Sequence, residues 1–260
     1  MRVLFIGDVV AKIGRDTLNE HLAQLQKQYQ IDFTIVNGEN AAHGKGITQK
    51  IYEGFINQGV DVVTMGNHTY SKDVILKFIM DAKRLIRPGN QDMDKPGRSA
   101  IVLPWKNIRV GVYNISGQVF MENVAISPIK MMEKLLAEYP AEIKIVDFHG
   151  EATGEKASFL HAYYSQLSLV VGTHTHIQTA DEMIYHGCGF ITDVGMCGAY
   201  DSIIGRDTDE VLEHLLTDKK THFTPGSTPG ILCGLVANID ESTGRTTAIQ
   251  RIQLRPSITA

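Results

Sequence analysis

The sequence has few cysteines: Cys188, Cys197 and Cys233 among 260 residues. They form no CxxC pair and no even-numbered disulfide framework, which indicates buried thiols in a reducing compartment. The sequence also lacks any apolar run that approaches the ~18 residues of a membrane span. Its apolar start, MRVLFIGDVV, contains Asp8 and has no small-residue cleavage site. We therefore predict a cytoplasmic protein with no membrane partner.

Positive charge is neither in excess nor concentrated in runs. Lys and Arg number 25 against 29 Asp and Glu, which gives a net charge of -4 and a sequence pI near 6.2. The basic surface expected of a duplex-binding protein is missing, so we predict that duplex DNA is not a partner. A polyanionic ligand would need a local source of positive charge.

The length and the hydrophobic pattern predict one α/β domain over residues 1–260. The hydrophobic fraction of 43% is ample for a substantial core. Buried strands are predicted at VLFIG, DFTIVNG, VDVVTMG, IKIVDF and LSLVVG. Helical periodicity is found in RDTLNEHLAQLQKQY, TQKIYEGFINQ, SKDVILKFIMDA, SPIKMMEKLLAEY and TGEKASFLHAYYSQ. This alternation favours a largely parallel, doubly covered sheet core.

Two segment pairs break the alternation and predict antiparallel strands. SAIVLPW and IRVGVYNIS leave little room for a helix between them and predict a hairpin. Near the end of the chain, GILCGLVANIDESTGRTTAIQRIQL predicts two strands joined by a turn at DESTGR.

Polar residues of metal-ligand type follow five predicted strands. They are Asp8 after VLFIG, Glu39 and Asn40 after FTIVNG, Asn67 and His68 after VVTMG, His149 after IKIVDF, and His174 and His176 after LVVGT. One such residue alone is usually a helix cap or turn former. Five strands that each deliver one to the carboxyl edge, where open α/β sheets build their sites, predict a metal site. If VVGTHTHIQ stays extended, His174 and His176 face a common target, because residues two apart point to one side of a strand.

The ligand types restrict the metal. Two carboxylates, two amide oxygens and three imidazoles, with no thiolate, suit Mn, Fe, Co or Zn better than Ca or Mg. Seven candidates are too many for one tetrahedral ion, but two ions bridged by Glu39 would use them all. Two divalent ions with Asp8 and Glu39 keep a local charge of about +2, which would attract a hydroxide and a phosphate.

The motif set resembles that of the calcineurin-like metallophosphoesterases. It comprises GD, GEN, GNH, an isolated strand-end His and GTHTH, in that order, and with GENAAHGKGIT and TDVGMCGAYDSIIG it resembles most the bacterial YmdB-like branch. The resemblance implies a four-layer α/β/β/α sandwich of two mixed sheets flanked by helices. It also implies one metal on Asp8, Glu39, Asn40 and His176, and another on Glu39, Asn67, His149 and His174. For this branch it implies activity on 2′,3′-cyclic nucleotides such as 2′,3′-cyclic AMP, with iron as the metal; manganese and zinc are the other candidates.

The sequence departs from the broad superfamily pattern at the first metal. Val10 stands where the superfamily has a His, and Glu39 stands where it has an Asp. We expect the amide oxygen of Asn40 to replace the lost imidazole. An amide is a harder and weaker ligand, so it should raise the Lewis acidity of that metal and weaken its retention.

The resulting hypothesis is a dinuclear phosphodiesterase for small phosphodiesters. A hydroxide that bridges the two metals would attack phosphorus in line. His68 adjoins Asn67 without being needed as a ligand, so we predict that it protonates the leaving ribose oxygen; a supporting hydrogen-bonding role is the alternative.

His43 is a candidate substrate-binding residue or an exposed loop histidine. Asp147, which belongs to the same predicted strand as His149, is not predicted to be a site residue.

Two other functions remain open from sequence alone. One is a metal-dependent hydrolase of another bond, and the other is a regulatory protein whose metal site binds a nucleotide or RNA end with little turnover. RNA ends are further candidate partners of the enzyme itself. We also expect a homo-oligomer, because oligomers are common among compact enzymes of this size.

Overall fold

The fold is described by a computed structural model that covers residues 1–217 and 219–257. In chain order the strands are β1 (Arg2–Ile6), β2 (Asp8–Val9), β3 (Phe33–Asn37), β4 (Val62–Thr64), β5 (Leu85–Ile86), β6 (Ala100–Trp105), β7 (Ile108–Ser116), β8 (Ile143–His149), β9 (Leu169–Thr173), β10 (Met183–Tyr185), β11 (Cys188–Ile191), β12 (Met196–Ala199), β13 (Gly230–Ile239) and β14 (Thr246–Leu254). The α-helices are α1 (Ala11–Gln28), α2 (Gln49–Asn57), α3 (Pro128–Glu138), α4 (Thr153–Tyr163) and α5 (Thr208–Thr217).

Within the described residues the strands form two mixed sheets. The first has the order β2-β12-β13-β1-β3-β4-β5, with β14 paired to β13. The second has the order β10-β11-β9-β8-β7-β6. Parallel pairing joins β1, β3, β4 and β5 in the first sheet and β7, β8, β9 and β11 in the second. The predicted β6–β7 hairpin and the predicted antiparallel pair β13–β14 are both confirmed.

The two sheets pack face to face between two helical layers. Alternate residues of β1 show this directly: Val3 and Phe5 lie in the core between the sheets, whereas Leu4 and Ile6 lie under α1 and α2. On the far side of the second sheet, α3 and α4 cover a third core that includes Phe148. The four-layer α/β/β/α prediction is therefore confirmed.

Local sequence explains how the helices begin and which face they bury. Leu18, Leu22 and Leu25 recur at intervals of four and three residues in α1 and are all buried against the first sheet. Thr48 caps α2 by accepting a hydrogen bond from the backbone N–H of Ile51 at 3.4 Å. Ser127 caps α3 in the same way and is followed by Pro128 at the first helical position.

One predicted helix is wrong. SKDVILKFIMDA folds as a short 3-10 helix, Asp73–Lys77, followed by turns. The apolar spacing does mark buried positions, since Ile75, Phe78 and Ile79 lie in the core beside α2. However, several backbone bonds here span three residues, as from Phe78 N–H to the Ile75 carbonyl, so the chain turns more tightly than an α-helix.

The helices of the described residues are too short or too polar for a bilayer. Among them, no helix combines the length and the apolar character that crossing a membrane requires.

Candidate metal centre

The site lies where the carboxyl ends of both sheets meet. Strands β1, β3 and β4 deliver residues from the first sheet, and β8 and β9 deliver residues from the second. The Oε1 atom of Glu39, which follows β3, lies 3.3 Å from Nε2 of His149, the last residue of β8. Gly66 makes this approach feasible, because a Cβ at that position would lie 2.2 Å from both Glu39 Oε2 and His149 Nε2.

One donor cluster surrounds the Nε2 atom of His149. Asn67 Oδ1 lies 2.9 Å away and His174 Nδ1 lies 3.1 Å away, in addition to Glu39 Oε1. A single hydrogen on Nε2 cannot satisfy three acceptors at once. A cation placed among these atoms would do so, and imidazole, carboxylate and amide donors are those that transition metals accept.

A second donor cluster shares Glu39 with the first. The ligand atoms of Asp8, Glu39 and His176 all lie within 4.8 Å of one another. Asp8 Oδ1 and Asn40 Oδ1 are both buried, and neither has a hydrogen-bond partner among the described residues. Unpaired buried acceptors are costly, so two of them beside a carboxylate and an imidazole fit a cation site.

Each histidine ring of the two clusters is oriented by its other nitrogen. Thr173 Oγ1 donates to Asp147 Oδ1 at 2.6 Å, so it accepts from Nδ1–H of His149 at 2.9 Å and leaves Nε2 free to bind. His176 Nδ1 donates to the Ile204 carbonyl at 2.8 Å, and His174 Nε2 lies 3.1 Å from a carboxylate oxygen of Glu151. Partners of this kind fix the tautomer and raise ligand basicity.

The segment VVGTHTHIQ is extended only as far as Thr173, so the condition under which both histidines would face one side is not met. Strand β9 ends at Thr173, and His174 and His176 have φ angles of 103° and 65°. These angles lie in the left-handed region, which costs energy for residues other than glycine. Because the chain turns, His174 reaches the first cluster and His176 reaches the second, instead of both pointing to one side.

Burial and close charges strongly shift the pKa values in the centre. Burial raises the pKa of Asp8 to about 7, against the opposing effect of His176. For Glu39, burial is outweighed by His149 and His68, so its pKa is held well below its usual range. For His149, burial is outweighed by Glu39, and the pKa rises to about 9. Such strongly perturbed groups in one cleft are typical of functional sites.

Comparison with known proteins places the chain in a family. The family model described as YmdB-like protein matches residues 4–252. The chain belongs to the YmdB-like family. A relative from Bacillus subtilis (strain 168), named 2′,3′-cyclic-nucleotide 2′-phosphodiesterase, is 42% identical over 255 residues, which cover 97% of this chain and 96% of the relative. The resemblance inferred from the GNH and GTHTH blocks is thus confirmed.

Solved structures share the fold of this YmdB-like chain. A novel phosphatase from Mycoplasma pneumoniae superposes with a TM-score of 0.93 at 33% identity, over 98% of this chain and 93% of that one. A hypothetical protein from Thermus thermophilus gives a TM-score of 0.91 at 33% identity, over 98% and 99% of the two chains. The two-sheet architecture is therefore shared by relatives over nearly their full lengths.

A cavity of about 240 Å³ opens onto the centre of this YmdB-like chain. It is lined by Glu39, Asn40, Gly44, His68, Glu151, His174, Thr175, His176, Ile204, Arg206 and Phe223. His68 Nδ1 lies 3.2 Å from Ser71 Oγ, and burial lowers the pKa of His68. His43 does not line this cavity; it lies on a neighbouring one of about 460 Å³ with Arg15 and Lys72.

Sequence reasoning missed several residues that support the YmdB-like centre. Asp147 was not predicted as a site residue, which is wrong: residues two apart share a face of a strand, and Asp147 reaches His149 through the Thr173 hydroxyl. Asp147 also accepts from Asn37 Nδ2 at 3.0 Å. The signal was a carboxylate inside the apolar run IKIVDF, since a buried charge needs partners. Lys156 and Asp193 were also missed, and they form a fully buried ion pair at 3.0 Å.

Proposed function

We propose that this chain hydrolyses small phosphodiesters, 2′,3′-cyclic nucleotides above all, at a two-metal centre. The observation that carries the proposal is that two donor clusters share Glu39 and open into one cavity beside His68. The substrate class follows the name of the Bacillus subtilis relative, which is similar over nearly the whole chain. Two donor clusters that share a carboxylate would hold two metals side by side, which would suit phosphoryl transfer, where both the attacking and leaving oxygens need charge stabilisation.

The two sites would divide the ligand-type residues. Asp8, Glu39, Asn40 and His176 would hold one metal, and Glu39, Asn67, His149 and His174 would hold the other. Iron, manganese or zinc suits these oxygen and nitrogen donors. Bound there, the metals would supply Lewis acidity toward the phosphoryl oxygens and lower the pKa of water.

His68 would donate the proton to the leaving ribose oxygen. Its backbone N–H donates to Glu39 Oε2 at 3.1 Å, which fixes the residue at the edge of the centre. In the neutral ring, Nε2 accepts from Asn67 Nδ2 at 3.5 Å, and Nδ1–H donates to Ser71 Oγ at 3.2 Å. A proton taken up at Nε2 gives the imidazolium, which is the general acid of the proposed reaction.

The first test of the proposal is metal content together with turnover. We expect elemental analysis to find about two transition-metal ions per chain, as the shared ligand set requires. We expect the same preparation to cleave 2′,3′-cyclic AMP and bis-p-nitrophenyl phosphate. One ion or none after reconstitution with iron or manganese, with no cleavage of either diester, would overturn the proposal.

The His68→Ala variant is expected to lose kcat for 2′,3′-cyclic AMP by about 100- to 10,000-fold, the usual contribution of a general acid. Its metal content should stay that of the wild type, because His68 is not assigned as a ligand. The kcat for bis-p-nitrophenyl phosphate should fall less, because p-nitrophenolate is a stable anion that leaves without being protonated. The matched control is His43→Ala, which we expect to keep full activity because His43 lines a different cavity. Equal losses on both diesters would argue against the proton-donor role.

The Thr173→Val variant is expected to weaken metal binding by about 10- to 100-fold. Valine keeps the shape of the side chain but removes the hydroxyl that links His149 to Asp147. Calorimetric titration of the metal-free protein with Mn²⁺ measures the change directly. Thr246→Val serves as a control for the loss of a buried threonine hydroxyl, because Thr246 Oγ1 donates to the Ser168 carbonyl at 2.6 Å, outside the donor clusters. Unchanged affinity in Thr173→Val would show that the hydroxyl does not orient the ligand.

The other expectations from the sequence stay predictions. We propose that the protein is a single-domain, cytoplasmic homo-oligomer. We also propose that RNA ends are further substrates and that duplex DNA is not a partner.

A further inference from the structure

One wall of the cavity over the centre combines an aromatic ring with a guanidinium group. Phe223 carries the single phenyl ring among the described residues that line the cavity, and Arg206 lies beside it. The Arg206 Cζ atom lies 5.0 Å from the centroid of the Phe223 ring, and Lys45 Nζ lies 5.7 Å from it. None of these residues belongs to the donor clusters described above.

The ring is held close to the second donor cluster by Gly44. A Cβ at Gly44 would lie 2.0 Å from Phe223 Cε1, so the ring edge occupies the space that any larger residue would need. The Gly44 carbonyl accepts a hydrogen bond from Asn40 Nδ2 at 3.0 Å. Asn40 thus directs its Oδ1 atom toward the centre, while its Nδ2 atom donates to Gly44, the residue that the Phe223 ring packs against.

Glu210 at the start of α5 fixes the two residues relative to each other. Its carboxylate accepts from the Arg206 guanidinium, from Thr221 Oγ1 at 3.2 Å, and from the backbone N–H of Thr224. These three bonds join the segment that carries Arg206 to the segment that carries Phe223. Arg206 Nε is buried without a hydrogen-bond partner among the described residues, so the Glu210 carboxylate is the group that holds the guanidinium in place.

We propose that Phe223 and Arg206 form a base-binding wall that recognises the nucleobase of the substrate. This inference rests on the proposed function. Aromatic rings and guanidinium planes both stack on nucleobases, and a base that enters the cavity meets these two groups together. The phosphodiester would then lie toward the donor clusters, on the side of Asn40.

The wall predicts a particular form of specificity. Stacking tolerates every base because each has a π-face, whereas hydrogen bonds to base edges distinguish them. We therefore expect 2′,3′-cyclic nucleotides of different bases to be cleaved with similar kcat/KM. A cyclic phosphodiester without a base, such as glycerol 1,2-cyclic phosphate, should be a much poorer substrate through a higher KM.

The test compares Phe223→Leu with the wild type on 2′,3′-cyclic AMP and on glycerol 1,2-cyclic phosphate. We expect kcat/KM for the nucleotide to fall about 10-fold, mainly through KM, the size of effect that loss of a base–aromatic stack gives. The value for the glycerol diester should not change. Phe223→Tyr, which keeps an aromatic ring, should retain the wild-type kcat/KM for the nucleotide. Phe120→Leu removes an exposed ring that does not line the cavity, so it should change kcat/KM for neither substrate.

Two results would overturn the base-binding wall. Equal losses on both substrates would show that Phe223 only packs over Gly44, and no loss on either would show that the base binds elsewhere. If the wild type cleaves neither diester, the proposed function fails, and the wall is tested by binding alone. In that case calorimetry with adenosine 3′-phosphate and glycerol phosphate on metal-loaded protein should show weaker binding of the nucleotide alone in Phe223→Leu.

Discussion

The Glu39→Gln variant is expected to hydrolyse phosphodiesters more than about 100-fold more slowly than the wild type. Substitution of residues that only orient a metal ligand already costs about 10- to 100-fold in metal affinity or activity, and Glu39 is assigned as a ligand itself. Glu39 is the residue that the two donor clusters share. Glutamine keeps the size of the side chain but replaces a charged oxygen with an amide nitrogen that cannot bind a cation. We therefore expect both metals to be lost or weakened together, which a ligand of one cluster alone would not cause.

Elemental analysis and Mn²⁺ titration separate this loss of metal from a loss of chemistry. The matched control is Glu53→Gln on α2, where an exposed carboxylate bonds to Gln49 at 2.8 Å. That variant should keep its metal and its activity. His176→Ala makes a second comparison, because it should weaken the cluster with Asp8 and leave the cluster around His149 occupied. If Glu39→Gln retained two ions and normal turnover, Glu39 could not be the shared ligand.

The sequence predicts where the site lies because the carboxyl ends of the buried strands can be recognised from the apolar runs. Parallel strands run in one direction, so residues that follow them collect at one edge of the sheet. Glu39 follows β3 and His149 ends β8, and although these strands belong to different sheets, Glu39 Oε1 and His149 Nε2 lie 3.3 Å apart. The resemblance to known metallophosphoesterases supplied the two-sheet arrangement that strand pattern alone does not give.

The finer geometry was not predictable because it depends on conformations between the elements. His174 and His176 lie in left-handed conformations after β9, so an argument from strand alternation places them wrongly. Strand alternation does place Asp147 on the same face of β8 as His149, but the bridge through the Thr173 hydroxyl depends on the pairing of β8 with β9. Phe223 lies in an irregular segment, and only its contacts with Gly44 and Arg206 show that it lines the cavity.

The Lys156→Met variant is expected to lower the free energy of unfolding by about 3–5 kcal/mol, the cost of leaving a buried charge without its partner. Both Lys156 and Asp193 have fully buried side chains. Lys156 Nζ also donates to the Thr173 carbonyl at 2.8 Å, and Asp193 accepts from the backbone N–H of Thr175 at 2.9 Å. The pair thus secures both sides of His174, so the variant should also bind Mn²⁺ more weakly.

Urea unfolding of the metal-free protein, followed by circular dichroism, measures the effect on stability. Lys134→Met is the matched control, because Lys134 is an exposed helical lysine 3.8 Å from Glu138; it should cost less than about 1 kcal/mol. The double variant Lys156→Met/Asp193→Asn should be more stable than Lys156→Met alone, since asparagine removes the unpaired charge while its side-chain oxygen still accepts a backbone hydrogen bond. A double variant that is less stable than Lys156→Met would contradict this. Asp193 would then stabilise the loop mainly through the backbone N–H groups of Thr175 and Gly195, and the ion pair with Lys156 would be secondary.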